Sequence, residues 1–424
     1  MTLTVKILIG MFAGIALGVL VNVSSFFIAS DSFVGGFIHG VFVEGILDTV
    51  GQIFVRLLKL LIVPMVFVSL VLGSAALGTS SRMGPMAAKT ICLYLLTTCI
   101  AITLAMTAAL LVKPGNGVDL KGDEVYEVRD APPLKEVVID IFPANPVQAM
   151  AEANMLQLIV FSILMGIALV RVGEKGEPVM RFFESVNEVI LKMVLMLMHL
   201  APYGVFAILA VTFSRLGLEL IYGLLGYFMT VLTVLLLHAG LVYGGLLTAF
   251  AGLSPVHFFR NIRPAILFAF STASSSATLP VTMEVARDRL GIKRAVSAFT
   301  LPLGATINMD GTAIMQGVAT VFIAQVYGID IGLSGYLIVI LTATLASIGT
   351  AGVPGVGILM LSMVLGQVGL PVEGIALIIG VDRLLDMVRT AVNVTGDSMV
   401  ATVVAKSEKE FDVATYTENS DIKV

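Results

Sequence analysis

Up to about residue 252 the chain alternates long apolar runs with short polar breaks; beyond that point the runs themselves are interrupted. Runs of about 20 apolar residues predict helices that cross a bilayer. The first covers about 3–29 and leads to a Gly/Asp/Ser loop beside His39; with no small-residue cleavage motif after it, it reads as a spanning helix and not a signal peptide. The second, about 42–72, carries Arg56 and Lys59 one turn apart, read as snorkelling to an interface, and Pro64, which predicts a kink. A polar break at 78–89 precedes a third helix, about 90–112, with Tyr94, Thr97, Thr98 and Thr103. On spacing alone these hydroxyls bond back to their own helix.

Residues 113–135 are the most polar stretch of the first half and predict a loop closed by Pro132-Pro133. A fourth segment is broken by Pro143 and Pro146 and ends in the apolar run Met155–Val170, followed by a charged turn at 171–178. A fifth helix (about 186–213) holds His199 and Pro202, and a sixth (about 218–251) holds His238. Both histidines read as satisfied core residues. Lys and Arg collect after the second, fourth and sixth segments (Arg82, Lys89, Arg171, Lys175, Arg181, Arg260, Arg263), which puts those loops and the N-terminus in the cytoplasm.

The later runs are broken in a recurrent way. Residues 264–281 are apolar but interrupted by a serine-rich stretch, Ser271 to Pro280, with basic residues on both flanks. Both flanks on one side predict a re-entrant helical hairpin. A seventh helix, about 295–326, is interrupted at 304–312, where Gly304 and Gly311 bracket Asn308 and Asp310. That composition predicts an unwound turn with freed carbonyls beside a carboxylate, a set that suits a hard cation. A second hairpin spans 333–369 and breaks at Ala346 to Gly355. Irregular backbone at membrane depth is tolerated where it lines a cavity, and two such segments mark a transporter's midplane site.

The last apolar run, about 374–406, contains Asp382, Asp386, Arg389, Asn393 and Asp397, spaced 4, 3, 4 and 4 apart. Helical periodicity gathers them into one polar stripe. A charge at bilayer depth costs at least ~3 kcal/mol, so the stripe faces a bundle interior or an aqueous cavity. A self-neutralising Asp386–Arg389 pair that only pins packing would leave Asn393 and Asp397 unexplained.

Composition narrows the class. The 424 residues are 58% hydrophobic and 13% charged, with mean hydropathy +1.01, so the chain reads as an all-α polytopic membrane protein. The net charge of −4 says little about partners. Cys92 and Cys99 fall in one helix and are placed too far apart for a disulfide. The polar tail from 407 reads as a disordered cytoplasmic end.

Four motifs in order, Ser274-Ser-Ser-Ala-Thr-Leu-Pro280, Asn308-Met-Asp-Gly-Thr312, Gly349-Thr-Ala-Gly-Val-Pro-Gly355 and Asp386-Met-Val-Arg-Thr-Ala-Val-Asn-Val-Thr-Gly-Asp397, resemble the dicarboxylate/amino acid:cation symporter family, that of the excitatory amino acid transporters. The resemblance covers essentially the whole chain. It implies eight transmembrane helices plus two re-entrant hairpins, inverted repeats, an elevator mechanism, a homotrimer and a place in the plasma (inner) membrane with both termini cytoplasmic. It divides the chain into scaffold (1–85 and 136–216), transport elements (86–112 and 217–252), an extracellular loop (113–135), a transport core (253–406) and a cytoplasmic tail (407–424).

Carried over by motif, an acidic amino acid substrate would lie among Ala273, Ser274, Ser275, Thr312, Val353, Gly357, Asp386, Arg389, Thr390 and Asn393. Asp386 would take the amino group and Arg389 the distal carboxylate. Co-transported sodium ions would use Gly304, Asn308, Asn393 and Asp397; Thr306 with Ser347, Ile348 and Thr350; and Tyr94, Thr97, Thr98, Asn308 and Asp310. The resemblance thus turns the hydroxyls of the third helix into ligands.

The chemistry agrees: arginine offers a planar fork to a carboxylate, and Asp386 needs a cationic partner that a substrate ammonium would supply. A C4-dicarboxylate would leave Asp386 unpaired, which is costly, so the expected activity is sodium-driven uptake of L-aspartate or L-glutamate. Proton-coupled glutamate or C4-dicarboxylate symport is the alternative. A dedicated channel would not need a matched ammonium and carboxylate site. An intramembrane hydrolase is disfavoured too, because eleven residues put Asp386 and Asp397 about 16 Å apart along one helix. Family members commonly carry a second arginine, at the first hairpin tip or beside the acidic residue of the last helix; here those positions are Ala273 and Met387.

Overall fold

A computed structural model describes residues 3–24, 32–78, 84–116, 139, 142–152, 154–216, 219–348, 350, 352 and 354–418. Residues 25–29 of the first predicted helix, Arg82, most of the 113–135 loop with Pro132-Pro133, Gly349, Val353 and residues 419–424 lie outside them. Among the described residues the structure is helical throughout, with one isolated antiparallel bridge between Ile292 and Phe411.

Helix α1 is Leu3–Ser24. A π-wound stretch, Phe37–Leu47, runs without a break into α2, Asp48–Gly78, which contains Pro64. Helix α3 is Gly84–Val112. The short α4, Pro146–Ala151, is capped by the Asn145 side chain, and Pro146 takes the first-turn position, where an N–H is not needed. Then come α5 (Met155–Val172), α6 (Glu177–Met198), α7 (Ala201–Leu216) and α8 (Glu219–Leu237). The last continues through π-wound turns at His238–Tyr243 and Leu247–Ala251. Three interrupted pairs follow: α9 (Pro255–Thr272) and α10 (Ser275–Asp288), α11 (Arg294–Ile307) and α12 (Asp310–Val326), α13 (Gly332–Ile348) and α14 (Val356–Gln367). The long α15 is Ile375–Ser407, and α16 is Val413–Glu418. Among the described residues, five helical runs are long and apolar enough to cross a membrane, and α13 and α14 are among the shorter apolar helices beside them.

Several expectations need correction. The second helical run begins at Phe33 and not near 42. The charged turn is a single 3-10 turn, Gly173–Gly176, and α6 starts at once with Pro178 in its first turn. The expected fifth helix is two helices, parted at His199–Leu200, because Pro202 has no N–H to continue the ladder. The first hairpin breaks at Ala273 and Ser274 and not across the whole serine-rich stretch: Ala273 has φ +49, and the Ser274 side chain accepts from Ala277 N and starts α10. Gly304 and Gly311 are helical; the break is Asn308–Met309. The glycines instead permit close approach. A Cβ at Gly304 would meet Asp397 and Tyr94, and one at Gly311 would meet the Arg389 backbone.

The helices pack in two groups. In the first, α1 lies along α7, and α2 packs on α5, α6 and α7. Gly10, Gly14 and Gly18 make this possible: spaced every fourth residue, they face the backbone carbonyls of Pro202, Phe206 and Ala210 with no room for a side chain. In the second, α15 is wrapped by α8, α9, α10, α11 and α12, and α3 packs on α12. The groups meet where α15 touches α1 and α7, and where α14 touches α2.

The tail is docked as far as residue 418, contrary to the expectation of disorder. Asp412 N donates to Gly291 O at 2.8 Å, and Lys293 N donates to Glu410 O at 3.1 Å. Tyr416 is buried; its hydroxyl donates to Ser254 O at 2.8 Å, and its carbonyl accepts from Asn261 Nδ2 at 2.9 Å. Composition hid this, because a few anchors in a polar segment suffice to order it. Tyr416→Ala removes about 3 kcal/mol of packing by analogy with other buried aromatics. The expected result is a lower Tm and faster amide exchange over 408–418; unchanged exchange would show that the tail is not held there.

Candidate functional site

The five-residue stripe of α15 is buried. Arg389 is fully enclosed, and Asp382, Asp386, Asn393 and Asp397 are each less than a tenth exposed. Arg389 Nη2 donates to Asp386 Oδ1 at 2.7 Å and, more weakly, to Asp382 Oδ2 at 3.3 Å. Its Nη1 lies 2.8 Å from Asp382 Oδ1 without the alignment of a hydrogen bond, and Nε has no acceptor. A buried guanidinium with donors unspent is costly to leave so. The Asp386–Arg389 pair therefore forms, yet it does not satisfy the arginine.

The other oxygen of Asp386 faces Arg383. Nη1 of that residue sits 3.4 Å from Asp386 Oδ2, and Gly355 N donates to the same oxygen at 3.3 Å. This corrects the expectation that a ligand without an ammonium would leave Asp386 unpaired. Two arginines already reach it. Arg383 is legible in the sequence as a charge in an apolar run three residues before Asp386, but it lies off the stripe spaced 4, 3, 4 and 4.

The hairpin tips close over this region. Ser274 Oγ donates to Gly352 O at 2.6 Å, and Ser276 N to the same carbonyl at 3.2 Å, so the two tips bind each other directly. Ala273 and Ser275 are buried beside them. Gly357 lies where a Cβ would meet Thr312 and Arg389 Nη1, which joins α14, α12 and α15 at one point. Thr390 Oγ1 bonds back to Asp386 O at 2.8 Å. Asn393 Oδ1 accepts from Gly311 N at 2.7 Å. Of the expected substrate set, Val353 lies outside the described residues.

The expected ion residues fall into an inner cluster and an outer one. In the inner cluster Thr98 Oγ1 donates to Asp310 Oδ1 at 2.6 Å, and Thr97 Oγ1 lies 3.4 Å from Asn308 Oδ1. Tyr94 OH donates to Thr300 O at 2.9 Å. Asn308 Nδ2 donates to Asp397 Oδ1 at 2.9 Å, with Gly304 against the same carboxylate. Tyr94, Thr97, Thr98, Gly304, Asn308, Asp310 and Asp397 thus form one buried oxygen-rich patch, with Asn393 bound on its edge. In the outer cluster Ser347 Oγ donates to Ile307 O at 2.6 Å and accepts from Met309 N at 3.0 Å, so α13 bridges the broken helix. Thr350 Oγ1 bonds to Ala346 O, Ile348 ends α13, and the exposed Thr306 hydroxyl turns back to Leu303 O.

Two further residues join the inner cluster, Tyr243 and His238, neither of them in the expected ion-ligand set. Tyr243 OH donates to Asp310 Oδ2 at 2.8 Å, and His238 Nε2 lies 3.3 Å from the same oxygen. Both sit in the π-wound turn after α8, a distortion that re-aims side chains and recurs at functional sites. No periodicity announced their shared partner; His238 is buried and partnered, as expected of a core histidine, whereas His199 is exposed at the end of α6.

A sequence model of the sodium:dicarboxylate symporter family matches residues 3–407. The chain is 36% identical over 375 residues to the proton/sodium-glutamate symport protein of Geobacillus stearothermophilus, which covers 86% of this chain and 89% of that protein. It is 37% identical over 382 residues to the proton/glutamate-aspartate symporter of Escherichia coli (strain K12), covering 87% of each. It is also 34% identical over 372 residues to the C4-dicarboxylate transport protein of Bacillus subtilis (strain 168), covering 86% of this chain and 88% of that protein.

Proposed function

This chain belongs to the sodium:dicarboxylate symporter family, a membrane symporter and not an enzyme, and from that premise we propose that it takes up acidic amino acids, L-aspartate or L-glutamate, driven by sodium. The observation that carries this reading is Arg389, buried in α15 with hydrogen-bonding capacity unspent beside Gly357 and Thr312. A planar fork in a closed apolar bundle is suited to a carboxylate. Asp386 is held by Arg389 on one oxygen, and the other, reached more loosely by Arg383 and the Gly355 N–H, would take a ligand ammonium.

The buried patch of Asp310, Asp397, Asn308 and the hydroxyls of α3 supports sodium as the driving ion, since hard cations take oxygen ligands. The break at Asn308–Met309, tied to Ser347, couples that patch to the second hairpin, which would act as a gate. The group around α15 would be the moving transport domain, and the group around α2 the scaffold of a homotrimer in the inner membrane, with eight spans, two hairpins and both termini cytoplasmic. The close glycine packing of α1 on α7 suits a rigid scaffold.

The second reading, a proton-coupled symporter of glutamate or of a C4-dicarboxylate, is favoured by two contacts: His238 against Asp310, and Arg383 against Asp386. Uptake of radiolabelled L-aspartate into liposomes holding the purified protein separates the readings. Sodium-gradient uptake is expected, with little under a proton gradient alone. Uptake driven by protons without sodium, or of succinate in place of aspartate, would replace the first reading by the second.

A further inference from the structure

We infer that Arg383 is the residue that sets how strictly this site demands an ammonium on its ligand. The inference rests on the site reading above and adds a selectivity role for a side chain outside the carried-over ligand set. Arg383 lies three residues before Asp386 on α15, one helical turn away, and each of the two side chains is 11% exposed. Asp382, Arg383 and Asp386 form the polar wall of a crevice whose apolar wall comes from Ile7 of α1 and Phe54 of α2, and which closes on Gly355. The crevice lies where the two helix groups meet. A small polar ligand reaching Arg389 from there would meet Asp386 Oδ2 and Arg383 together.

The two oxygens of Asp386 are held unequally. Oδ1 makes a 2.7 Å bond with Arg389, whereas Oδ2 has Arg383 at 3.4 Å and the Gly355 N–H at 3.3 Å. The loosely held oxygen is the one an incoming ammonium would claim, and to do so it must displace Arg383. A ligand without an ammonium leaves Arg383 in place. Asp382 and Asp386 are matched by Arg389 and Arg383, so a ligand without an ammonium leaves neither of these two protein carboxylates without a guanidinium. Ala273 and Met387 bring no charge of their own. Arg383 therefore competes with an amino acid's ammonium and substitutes for it when a plain dicarboxylate binds. Discrimination through a group that would otherwise be unpaired is the strongest kind available to a buried site. With Arg383 present, that discrimination is weakened.

The test is equilibrium binding of L-aspartate and of succinate to the purified full-length protein in saturating sodium at one pH. Removing a competing charged contact changes binding by roughly tenfold. Arg383→Gln is expected to tighten L-aspartate about tenfold and weaken succinate about tenfold. Arg383→Lys, which keeps the charge, should stay near the parent ratio. An unmoved ratio, equal weakening of both ligands, or a selective loss of aspartate would each overturn the role of Arg383 while leaving the site reading intact. If Arg383→Gln does not purify as a single species, Arg383→Met keeps the unbranched stem and takes the same readout. A parent protein that binds neither ligand overturns the site reading itself, and this inference with it.

Discussion

Arg389→Ala is expected to abolish substrate binding, by more than about a hundredfold, and to lower stability as well. The guanidinium lies within hydrogen-bond distance of both Asp382 and Asp386. Removing it takes away the carboxylate fork and strips buried Asp382 of its 2.8 Å ion pair, while Asp386 retains Arg383. Breaking one side of a buried pair costs about 3–5 kcal/mol. The two effects separate in a double variant: Arg389→Ala with Asp382→Asn should recover much of the stability and none of the binding. Arg389→Lys should fail too, since an ammonium cannot reproduce the planar geometry. The measurements are isothermal titration with L-aspartate and a thermal melt in detergent. Near-parental affinity in Arg389→Ala would mean that the arginine only pins helix packing.

The second large effect is expected at Asp310. Its carboxylate receives Thr98 on one oxygen and Tyr243 with His238 on the other, joining α3, the π-wound turn after α8 and the broken seventh helix. Asp310→Asn keeps the volume but turns one acceptor into a donor, which then faces donors. Leaving buried polar groups mismatched costs about 1–3 kcal/mol each. The apparent sodium affinity in a titration of substrate binding should therefore fall by more than about tenfold, with a smaller loss of substrate affinity at saturating sodium. If the driving ion is the proton, the sodium titration will be flat in the parent as well, and the same variant should change the pH dependence of uptake. An Asp310→Asn protein with parental ion dependence would remove the inner cluster from the coupling mechanism.

Much of this was legible before any fold was known, for identifiable reasons. The breaks were placed within a few residues, since Ser274 as a cap and Asn308 between two helical arms are local signals. Their extent was overdrawn: serine after a cap is a helix first turn, and Gly304 and Gly311 serve close packing instead of unwinding. The tail was misjudged because composition measures average polarity, whereas its order comes from Tyr416 and a few backbone bonds to Gly291 and Lys293.

The pairing of Asp386 was less legible, for a different reason: Arg383 lies off the polar stripe that helical spacing marks out, and its long side chain still reaches Asp386.

The sequence by itself determined that the chain is a bundle of membrane-length and broken helices, and that α15 must face a protected polar space. Both conclusions rest on costs that apply residue by residue: backbone and charge cannot be left unpaired in hydrocarbon. Only the tertiary structure decided which partners answer those needs. His238 and Tyr243 lie 72 and 67 positions from Asp310, and Ser274 lies 78 from Gly352. Pairings at such separations are set by how helices cross and where a turn is wound wide, and helical periodicity carries no record of either.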